Sequence, residues 1–293
     1  MRARLLRQET ADSAWELAIR APAPGLQGHI RGDYVGYIES APGLVRRREF
    51  AAPFTVLIFD FGPPLRLRDP DDEQRVEHHA AGFVAGISDR ATITEHDGCS
   101  SGIQVNLTPI GARLLTGAPM SALASRIVAL DDLMDPEHRR ISERLADTRG
   151  WDARFDLIDR VLGQRLAGAR ACTRKVAWAL TRIEASGGLV DIGALARELG
   201  HSPKYLIAQF REHIGLPPKL AARLVRFDRC VRHIRNGGRE RWAELALMFG
   251  YYDQAHLVRD FRQFTGLTPT AARASLTPWP GHERVDDLLL LAP

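Results

Sequence analysis

The sequence has few cysteines, few lysines and no long apolar run. Among its 293 residues only three are cysteines, namely Cys99, Cys172 and Cys230. An odd, widely spaced set of cysteines gives neither a zinc spacing nor a disulfide framework. No stretch approaches the roughly 18 apolar residues that a membrane-spanning helix needs. Asp12 and Glu16 also fall where a signal peptide needs an unbroken apolar core. We therefore expect a cytoplasmic protein without disulfides and without a membrane partner.

The composition is that of an ordinary globular protein. Hydrophobic residues make up 45% of the chain and charged residues 26%, which excludes wholesale disorder, collagen-like repeats and a fibrous coil. At roughly 100 to 200 residues per domain, the length allows two cores. The sequence therefore predicts two globular domains.

Charge is unevenly distributed along the chain. Residues 1–171 carry 22 arginines against 24 acidic residues, whereas residues 172–276 carry 17 basic residues against 9 acidic ones. Residues 277–293 carry one arginine against three acidic residues. A basic C-terminal third beside a near-neutral N-terminal part is typical of proteins that bind a polyanion. An arginine-rich helical domain with no nucleic-acid partner has the same charge, so charge alone leaves both interpretations open.

The N-terminal part has a strand-like pattern up to about residue 108. Segments rich in β-branched and aromatic residues alternate in part and are separated by turn signals such as PG, GPP, DPDD and DGCSSG. The predicted strands are 33–40, the run from Leu44, 54–61, 83–87 and 91–96. They favour an antiparallel sandwich or barrel. From Pro109 the spacing becomes helical, at 110–117, 119–127 and 136–166, which predicts helices that cover the sheet or pair with another subunit.

The C-terminal part contains an internal repeat. The segment Ala196–Pro218 returns as Ala246–Pro269. Each copy predicts a short helix, a glycine turn and a second helix, with Ser202 and Asp253 as equivalent N-caps and Pro203 as a first helical residue. The matched pairs are Ala196 and Ala246, Gly200 and Gly250, Leu206 and Leu257, Phe210 and Phe261, Gly215 and Gly266, Pro218 and Pro269.

The second helix of each copy has one apolar face and one face available for contacts. The predicted buried residues are Leu206, Phe210, Ile214, Leu257, Phe261 and Phe264. The opposite faces present Lys204, Ile207, Ala208 and Arg211 in the first copy, and Gln254, Ala255, Val258, Arg259 and Arg262 in the second. A helix-turn-helix unit places such a helix in the DNA major groove, where Arg or Gln can form paired hydrogen bonds with base edges. Helix pairs with a glycine turn are also common without DNA, but two in tandem on a basic segment favour DNA binding.

A single long helix is predicted between the two copies. It runs over Pro217–Asn236, with an apolar seam at Leu220, Leu224, Phe227, Val231 and Ile234. A helix of about 19 residues is about 28 Å long, close to the ~34 Å pitch of B-DNA. Both second helices could therefore enter successive major-groove segments. The arginines of this helix step by three, so only some of them can face phosphates.

These features together resemble the DNA-binding domain of the AraC/XylS family of bacterial transcription regulators. The second copy matches the family signature at Ala246, Gly250, Tyr251, Asp253, Gln254, His256, Leu257, Arg259, Phe261, Arg262, Gly266, Thr268 and Pro269. The resemblance implies seven helices, with two recognition helices joined by a rigid one. It implies that Lys204, Ile207, Ala208, Gln254, Ala255 and Arg259 read bases, and that Arg211 and Arg262 lie on the same faces. Many members have Arg where this chain has Ala208, so the first helix would read thymine methyls, read through Lys204, or contribute less specificity.

The N-terminal half has a weaker resemblance. Residues 102–123, followed by 129–135, resemble the sensor half of some actinobacterial members of the same family. This implies an effector-binding or dimerising domain whose state alters DNA binding or contact with RNA polymerase. The resulting fold class is α+β: a sensor domain at 1–168, an all-α DNA-binding domain at 169–276 and a tail at 277–293. We expect a homodimeric regulator of double-stranded DNA, controlled by a small-molecule effector.

Other functions find little support in the sequence. The histidines at positions 29, 78, 79 and 96 do not form the grouping of a metal-binding cupin, and Cys99 has no nearby basic group to activate it. No nucleophile elbow is present, so no catalytic residue, metal or cofactor is predicted. Arg46–Arg48 could hold an anionic effector or form a solvated edge. The aromatic residues that could build either the core or a ligand pocket are Tyr34, Tyr37, Phe54, Phe59, Phe61 and Phe83. An architectural DNA binder and a fused DNA-repair enzyme stay as alternatives.

Overall fold

The structure, a computed structural model, describes residues 2–70, 72–79, 81–133, 140–168 and 174–276. The predicted boundary between the two halves falls next to residues 169–173, which lie outside the described ranges, and so does the predicted tail at 277–293. Both remain predictions. The start of the helical run from residue 136 and Cys172 also lie outside these ranges.

The N-terminal half is built on an antiparallel sheet of nine strands among the described residues. The strands are β1 (Arg4–Glu9), β2 (Ala14–Arg20), β3 (Tyr34–Glu49), β4 (Thr55–Asp60), β5 (Arg66–Asp69), β6 (Asp72–His78), β7 (Phe83–Ala85), β8 (Thr92–Leu107) and β9 (Ile127–Ala129).

Two long strands form the centre of this sheet. Strand β8 pairs with β3 along nearly its whole length, with Val35 opposite Gln104 at one end and Glu49 opposite Thr92 at the other. On its other edge β8 pairs with β4 and with β5. Hydrogen bonding continues in the order β1-β2-β3-β8-β4-β7-β9. The ends of this path, β1 and β9, are not paired with each other, so the described strands form an open sheet. The antiparallel pairing was predicted, but the alternative of a barrel was wrong for these strands.

Several sequence predictions in this half were wrong in detail. The sequence analysis missed strands β1, β2, β5, β6 and β9. Because β9 lies after residue 108, the chain is not wholly helical beyond that point. The DGCSSG segment is part of β8 and not a turn. The PG dipeptide at 42–43 lies at a register shift within β3. A bulge leaves such residues unpaired while the strand stays paired on both sides. The turn-forming residues therefore did not end the strand.

Short helices and one long helix cover the sheet. They are α1 (Pro109–Thr116), α2 (Met120–Leu123), α3 (Leu130–Leu133), α4 (Ile141–Asp147) and α5 (Trp151–Ala167), with a single 3-10 turn at Pro24–Leu26. The helix predicted at 119–127 is therefore only one turn long, and the run to residue 166 is split at Gly150. Helix α5 packs Phe155, Ile158 and Leu162 into the same core as Tyr34 and Phe59. This confirms that the helices cover the sheet.

Trp151, the first residue of α5, occupies a space that a glycine on β3 leaves open. A Cβ atom at Gly36 would overlap the Trp151 indole, and the indole nitrogen donates to Glu16 on β2. We expect Gly36→Ala to lower the free energy of unfolding by about 1 to 3 kcal/mol, because the added carbon overpacks a filled core. Gly43→Ala is the matched control on the same strand, since nothing lies within 4 Å of its Cβ position. Equal urea midpoints for the two variants would contradict this assignment.

A buried carboxyl group lies at the end of β4, beside the central strand β8. Asp60, at the end of β4, is only 1% exposed and accepts a hydrogen bond of 3.1 Å from the Tyr37 hydroxyl. Burial raises the pKa of Asp60 from 3.8 to about 7, because the charged form loses its hydration. The folded protein therefore holds this proton more tightly than the unfolded chain does.

This raised pKa predicts a stability that falls with increasing pH. Between about pH 4 and pH 7 the folded state binds more protons than the unfolded state at Asp60, so unfolding becomes easier as pH rises, by about 2 to 4 kcal/mol across the window. We expect Asp60→Asn to remove that part of the pH dependence, as measured by urea unfolding at several pH values. An unchanged slope in the variant would show that folding does not raise the pKa of Asp60.

The described part of the C-terminal half consists of seven helices, as the family resemblance implied. They are α6 (Arg174–Ala185), α7 (Ile192–Glu198), α8 (Pro203–His213), α9 (Pro218–Arg235), α10 (Trp242–Met248), α11 (Gln254–Thr265) and α12 (Pro269–Leu276). Their interior divides into two clusters, one for each repeat copy. The first unites Val176, Leu195 and Phe210, and the second unites Phe227, Leu245 and Phe261.

The two halves pack against each other through both helix-turn-helix units. Ile87 and Ala51 of the N-terminal half belong to the core around α11, and the Ala51 amide donates to the Phe264 carbonyl over 3.0 Å. On the other unit, Arg113 of α1 forms an ion pair of 3.3 Å with Glu212 of α8. The N-terminal half therefore touches both second helices near their C-terminal ends.

Candidate nucleic-acid interface

Each repeat copy forms a helix-turn-helix unit with the predicted caps. The Ser202 side chain accepts from the Tyr205 amide at the start of α8, and the Asp253 side chain accepts from the His256 amide at the start of α11. Gly200 and Gly250 both have a φ of 71° in the turn, a left-handed conformation that glycine adopts at little cost. Two segments 50 residues apart thus repeat the same local geometry.

The two second helices bury the faces that the spacing predicted. Leu206 and Phe210 on α8 and its C-cap residue Ile214 are almost fully buried. The same is true of Leu257, Phe261 and Phe264 on α11. Ala196 and Ala246, the small residues of the first helices, are also buried. The units are therefore held by their own cores, which leaves the opposite helix faces available for a partner.

The predicted base-reading residues lie on those opposite faces. All of them are exposed except Ile207, which is half-buried. The exposed base readers are Lys204, Ala208, Gln254, Ala255 and Arg259, and Arg211 and Arg262 on the same faces are exposed too. The predicted residues of the first copy thus share one face of α8, and those of the second copy share one face of α11. An exposed helix face with guanidinium and amide groups can form the bidentate hydrogen bonds that distinguish guanine and adenine in a major groove.

A buried ion pair that the sequence interpretation missed holds α11 against α9. Asp260 is fully buried on the inner face of α11, and the Arg223 guanidinium donates to it at 2.5 and 3.1 Å. Arg223 also donates to the Gln263 amide oxygen, and the Gln263 amide nitrogen donates to Asp89 of the N-terminal half, each over 2.7 Å. The sequence did indicate that Asp260 is buried, because it lies three residues after Leu257 and four before Phe264, on the apolar face of the helix.

Several arginines of α9 form contacts within the protein. Arg223 and Arg226 are used inside the second unit, where Arg226 donates to the Gly250 carbonyl over 3.0 Å and stacks on the Tyr251 ring. Arg232 forms a 3.1 Å ion pair with Asp228 on its own helix. These three arginines are therefore engaged within the protein, and a phosphate contact from the long helix remains a prediction.

The two units differ in charge where their first helices begin. Helix α10 starts after Arg241, its N-cap residue, with Arg239 exposed two residues earlier. The equivalent positions before α7 are Asp191, its N-cap residue, and the exposed Leu189. The first helix of a helix-turn-helix unit crosses the DNA backbone. Phosphates would therefore meet positive charge at the second unit and negative charge at the first.

The other candidate sites of the N-terminal half are engaged in internal contacts. Arg46 pairs with Glu95 and Arg47 with Glu39, while Arg48 donates to the Thr265 carbonyl at the end of α11. Tyr34, Phe54, Phe59 and Phe83 are buried in the core. Within the part of the chain that the structure describes, no group of three potential metal ligands occurs. No helix in that part is long and apolar enough to cross a membrane.

The fold and this interface define a DNA-binding domain with two helix-turn-helix units. The family model described as "Helix-turn-helix domain" matches residues 195–275, which span α8 to α11 and most of α12. Residues 195–275 therefore form a helix-turn-helix domain.

Two solved structures are similar to parts of this chain. ToxT from Vibrio cholerae is 8% identical with a TM-score of 0.47, covering 80% of this chain and 99% of its own. The C-terminal domain of AraT, a response regulator from Geobacillus stearothermophilus, is 20% identical with a TM-score of 0.33, covering 36% of this chain and 87% of its own. Among curated proteins, none matches this chain.

Proposed function

We propose that this protein is a sequence-specific, DNA-binding transcription regulator of the cytoplasm. The main support is the pair of capped helix-turn-helix units, each with a buried inner face and an exposed outer face. The outer face bears Lys and Arg in the first unit and Gln and Arg in the second. A helix with that division of faces fits a major groove, and the basic background supplies phosphate neutralisation.

The two units act on one face of the duplex and contribute unequally in this proposal. Helix α9 has 18 residues and is therefore about 27 Å long, somewhat less than one turn of B-DNA, which is ~34 Å. Both units have an arginine at one equivalent position, Arg211 and Arg262, but the first has Ala208 and Asp191 where the second has Arg259 and Arg241. Both specificity and affinity therefore come mainly from the second unit.

The N-terminal half is proposed as the sensor and as the surface for homodimer formation. Support for a sensory role comes from its contacts with the C-terminal ends of α8 and α11, at Glu212 and Phe264. A small molecule that changes those contacts would change DNA binding or contact with RNA polymerase. No catalytic residue is part of this proposal.

Selection of bound sequences from random double-stranded DNA, followed by footprinting, tests the proposal. We expect one conserved major-groove element for the second unit and a weaker one about one helical turn (~10 base pairs) away. A homodimer would duplicate that pair. Recovery of DNA without any enriched sequence would indicate the architectural binder instead, and failure to retain DNA at low salt would overturn DNA binding altogether.

A further inference from the structure

An exposed apolar patch lies around the turn between α10 and α11. Leu247 and Met248 at the end of α10 are 75% and 54% exposed, and Tyr252 in the turn is 90% exposed. Leu189, which precedes α7, is 55% exposed and lies so close to Gly250 of this turn that a Cβ atom there would collide with it. We call Leu189, Leu247, Met248 and Tyr252 the α10 patch. Large apolar side chains grouped on a surface indicate a contact with a partner.

The internal repeat shows that the helix pair does not need these apolar residues. At the repeat offset of 50, Leu247 and Met248 correspond to Arg197 and Glu198, which are likewise exposed near the end of α7. The first unit therefore forms the same helix pair with charged residues at these positions. Exposed leucine and methionine in the second unit add nothing to that packing, which favours a contact outside the helix pair.

Positive charge lies at the other end of α10. Arg239 and Arg241 are exposed there and form no ion pair with any residue that the structure describes. Two carboxylates lie nearby, but both have contacts within the unit. Glu240 lies 2.9 Å from His233, and Glu244 accepts a hydrogen bond from the Arg241 amide over 3.0 Å. A partner with negative charge followed by apolar side chains would therefore fit along α10.

The sequence after α12 has this composition. Residues 277–293 carry one arginine against three acidic residues, as noted for the predicted tail. Asp286 and Asp287 stand directly before four consecutive leucines at 288–291. The order of these residues, two carboxylates and then four apolar side chains, matches the order of charge and apolar surface along α10.

The tail also begins beside α10. Leu276, the last residue of α12, belongs to the same apolar cluster as Leu245 of α10. The Arg273 guanidinium of α12 lies 3.9 Å from the centre of the Trp242 ring at the start of α10. From residue 276 to residue 288 the extended chain spans up to ~40 Å, whereas α10 is only ~10 Å long. The acidic and leucine residues of the tail can therefore reach every part of α10.

We propose that residues 286–291 dock on α10, with the leucines on the α10 patch and the two aspartates on Arg239 and Arg241. The proposal deepens the regulator proposal and rests on it for its consequence. Arg239 and Arg241 are the residues of the second unit that phosphates would meet, so the docked tail competes with DNA for them. Because the tail is tethered, its effective concentration is in the millimolar range, and weak contacts suffice.

Photo-cross-linking of the full chain tests the contact without DNA. A p-benzoylphenylalanine in place of Leu247 is activated in an equal mixture of unlabelled and isotope-labelled protein, and the adducts are mapped by mass spectrometry. We expect adducts with residues 277–293 of the same molecule. The same group in place of Leu44, an exposed leucine of β3, should give none with the tail. Adducts only between labelled and unlabelled copies would show that a second copy covers the patch. That result, or no adduct with the tail, would overturn the proposal.

DNA affinity measured over a range of salt concentrations tests the competition. A tail variant in which each leucine at 288–291 is replaced by serine should bind DNA roughly threefold more tightly or better, because the docked fraction no longer lowers the apparent affinity. Its salt dependence should become steeper by up to about two phosphate contacts. The patch variant, Leu247→Ser with Met248→Ser, should show the same gain. Leu44→Ser is the matched control and should show none.

The two sets of variants locate the contact. Unchanged DNA affinity in the tail variant would overturn the competition. A gain in the tail variant without a gain in a patch variant of normal circular dichroism would show that the tail acts elsewhere, and would overturn the docking site.

Failure of the docking site and failure of the regulator proposal are distinguishable, because cross-linking uses no DNA. Tail adducts in a protein that does not bind DNA would preserve the docking site and remove the regulator. DNA binding without tail adducts would do the reverse.

Discussion

Replacing Arg223 by methionine should lower the free energy of unfolding by about 3 to 5 kcal/mol, the range found when one partner of a buried ion pair is removed. Asp260 is fully buried, and Arg223 donates two hydrogen bonds to one of its carboxylate oxygens. Methionine fills part of the same space but leaves a charged carboxylate in an apolar core beside Phe261 and Phe264. Chemical denaturation monitored by circular dichroism measures the effect.

Two further variants show whether the loss comes from the unpaired charge. Replacing both partners, as Arg223→Met with Asp260→Leu, should recover most of the stability, because an apolar pair of similar volume often equals a buried ion pair. Arg160→Met on the exposed side of α5 should change stability by less than about 0.5 kcal/mol. If the double variant is no more stable than Arg223→Met, packing and not charge explains the loss.

Replacing Arg259 by alanine should weaken binding to the selected DNA by about 1 to 3 kcal/mol and relax base preference at one position. Arg259 is exposed near the middle of α11, on the face opposite to Leu257 and Phe261. From that place its guanidinium can reach two acceptors of one guanine. Fluorescence anisotropy with the selected site and with single-base variants measures both effects.

Arg262 provides the matched comparison on the same helix. It lies in the last turn of α11, beside the N-terminal half, where a phosphate contact is the expected role. Arg262→Ala should therefore weaken binding to all sequences alike and reduce the salt dependence by about one phosphate contact. Equal loss of Arg259→Ala on selected and scrambled DNA would remove Arg259 from the base-reading set.

The helix-turn-helix units could be predicted from the sequence because their signals are local. Caps such as Ser202 and Asp253 satisfy amides within three residues, and Gly200 and Gly250 adopt their positive φ within a single turn. Leu257, Phe261 and Phe264 share a face through helical spacing alone. None of these features depends on a distant part of the chain.

The sheet was predicted only in part because its pairing is not local. Strand β8 pairs with β3, about 60 residues earlier, and this pairing carries polar residues such as Ser100 and Ser101 opposite Glu39 and Ile38. Their composition indicated a turn. Strand β1 alternates weakly and gains its place only by pairing with β2. In such strands, partner strands decide the conformation more than intrinsic preference does.

The order of caps, glycines and apolar residues by itself determined two helix-turn-helix units and which of their faces stay exposed. Only the tertiary structure decided that Asp260 has Arg223 as its partner and that the N-terminal half contacts the ends of α8 and α11. The physical reason is the range of the interactions. Helical periodicity and capping act within one or two turns, whereas ion pairs and contacts between the halves depend on which distant segments the packing brings together.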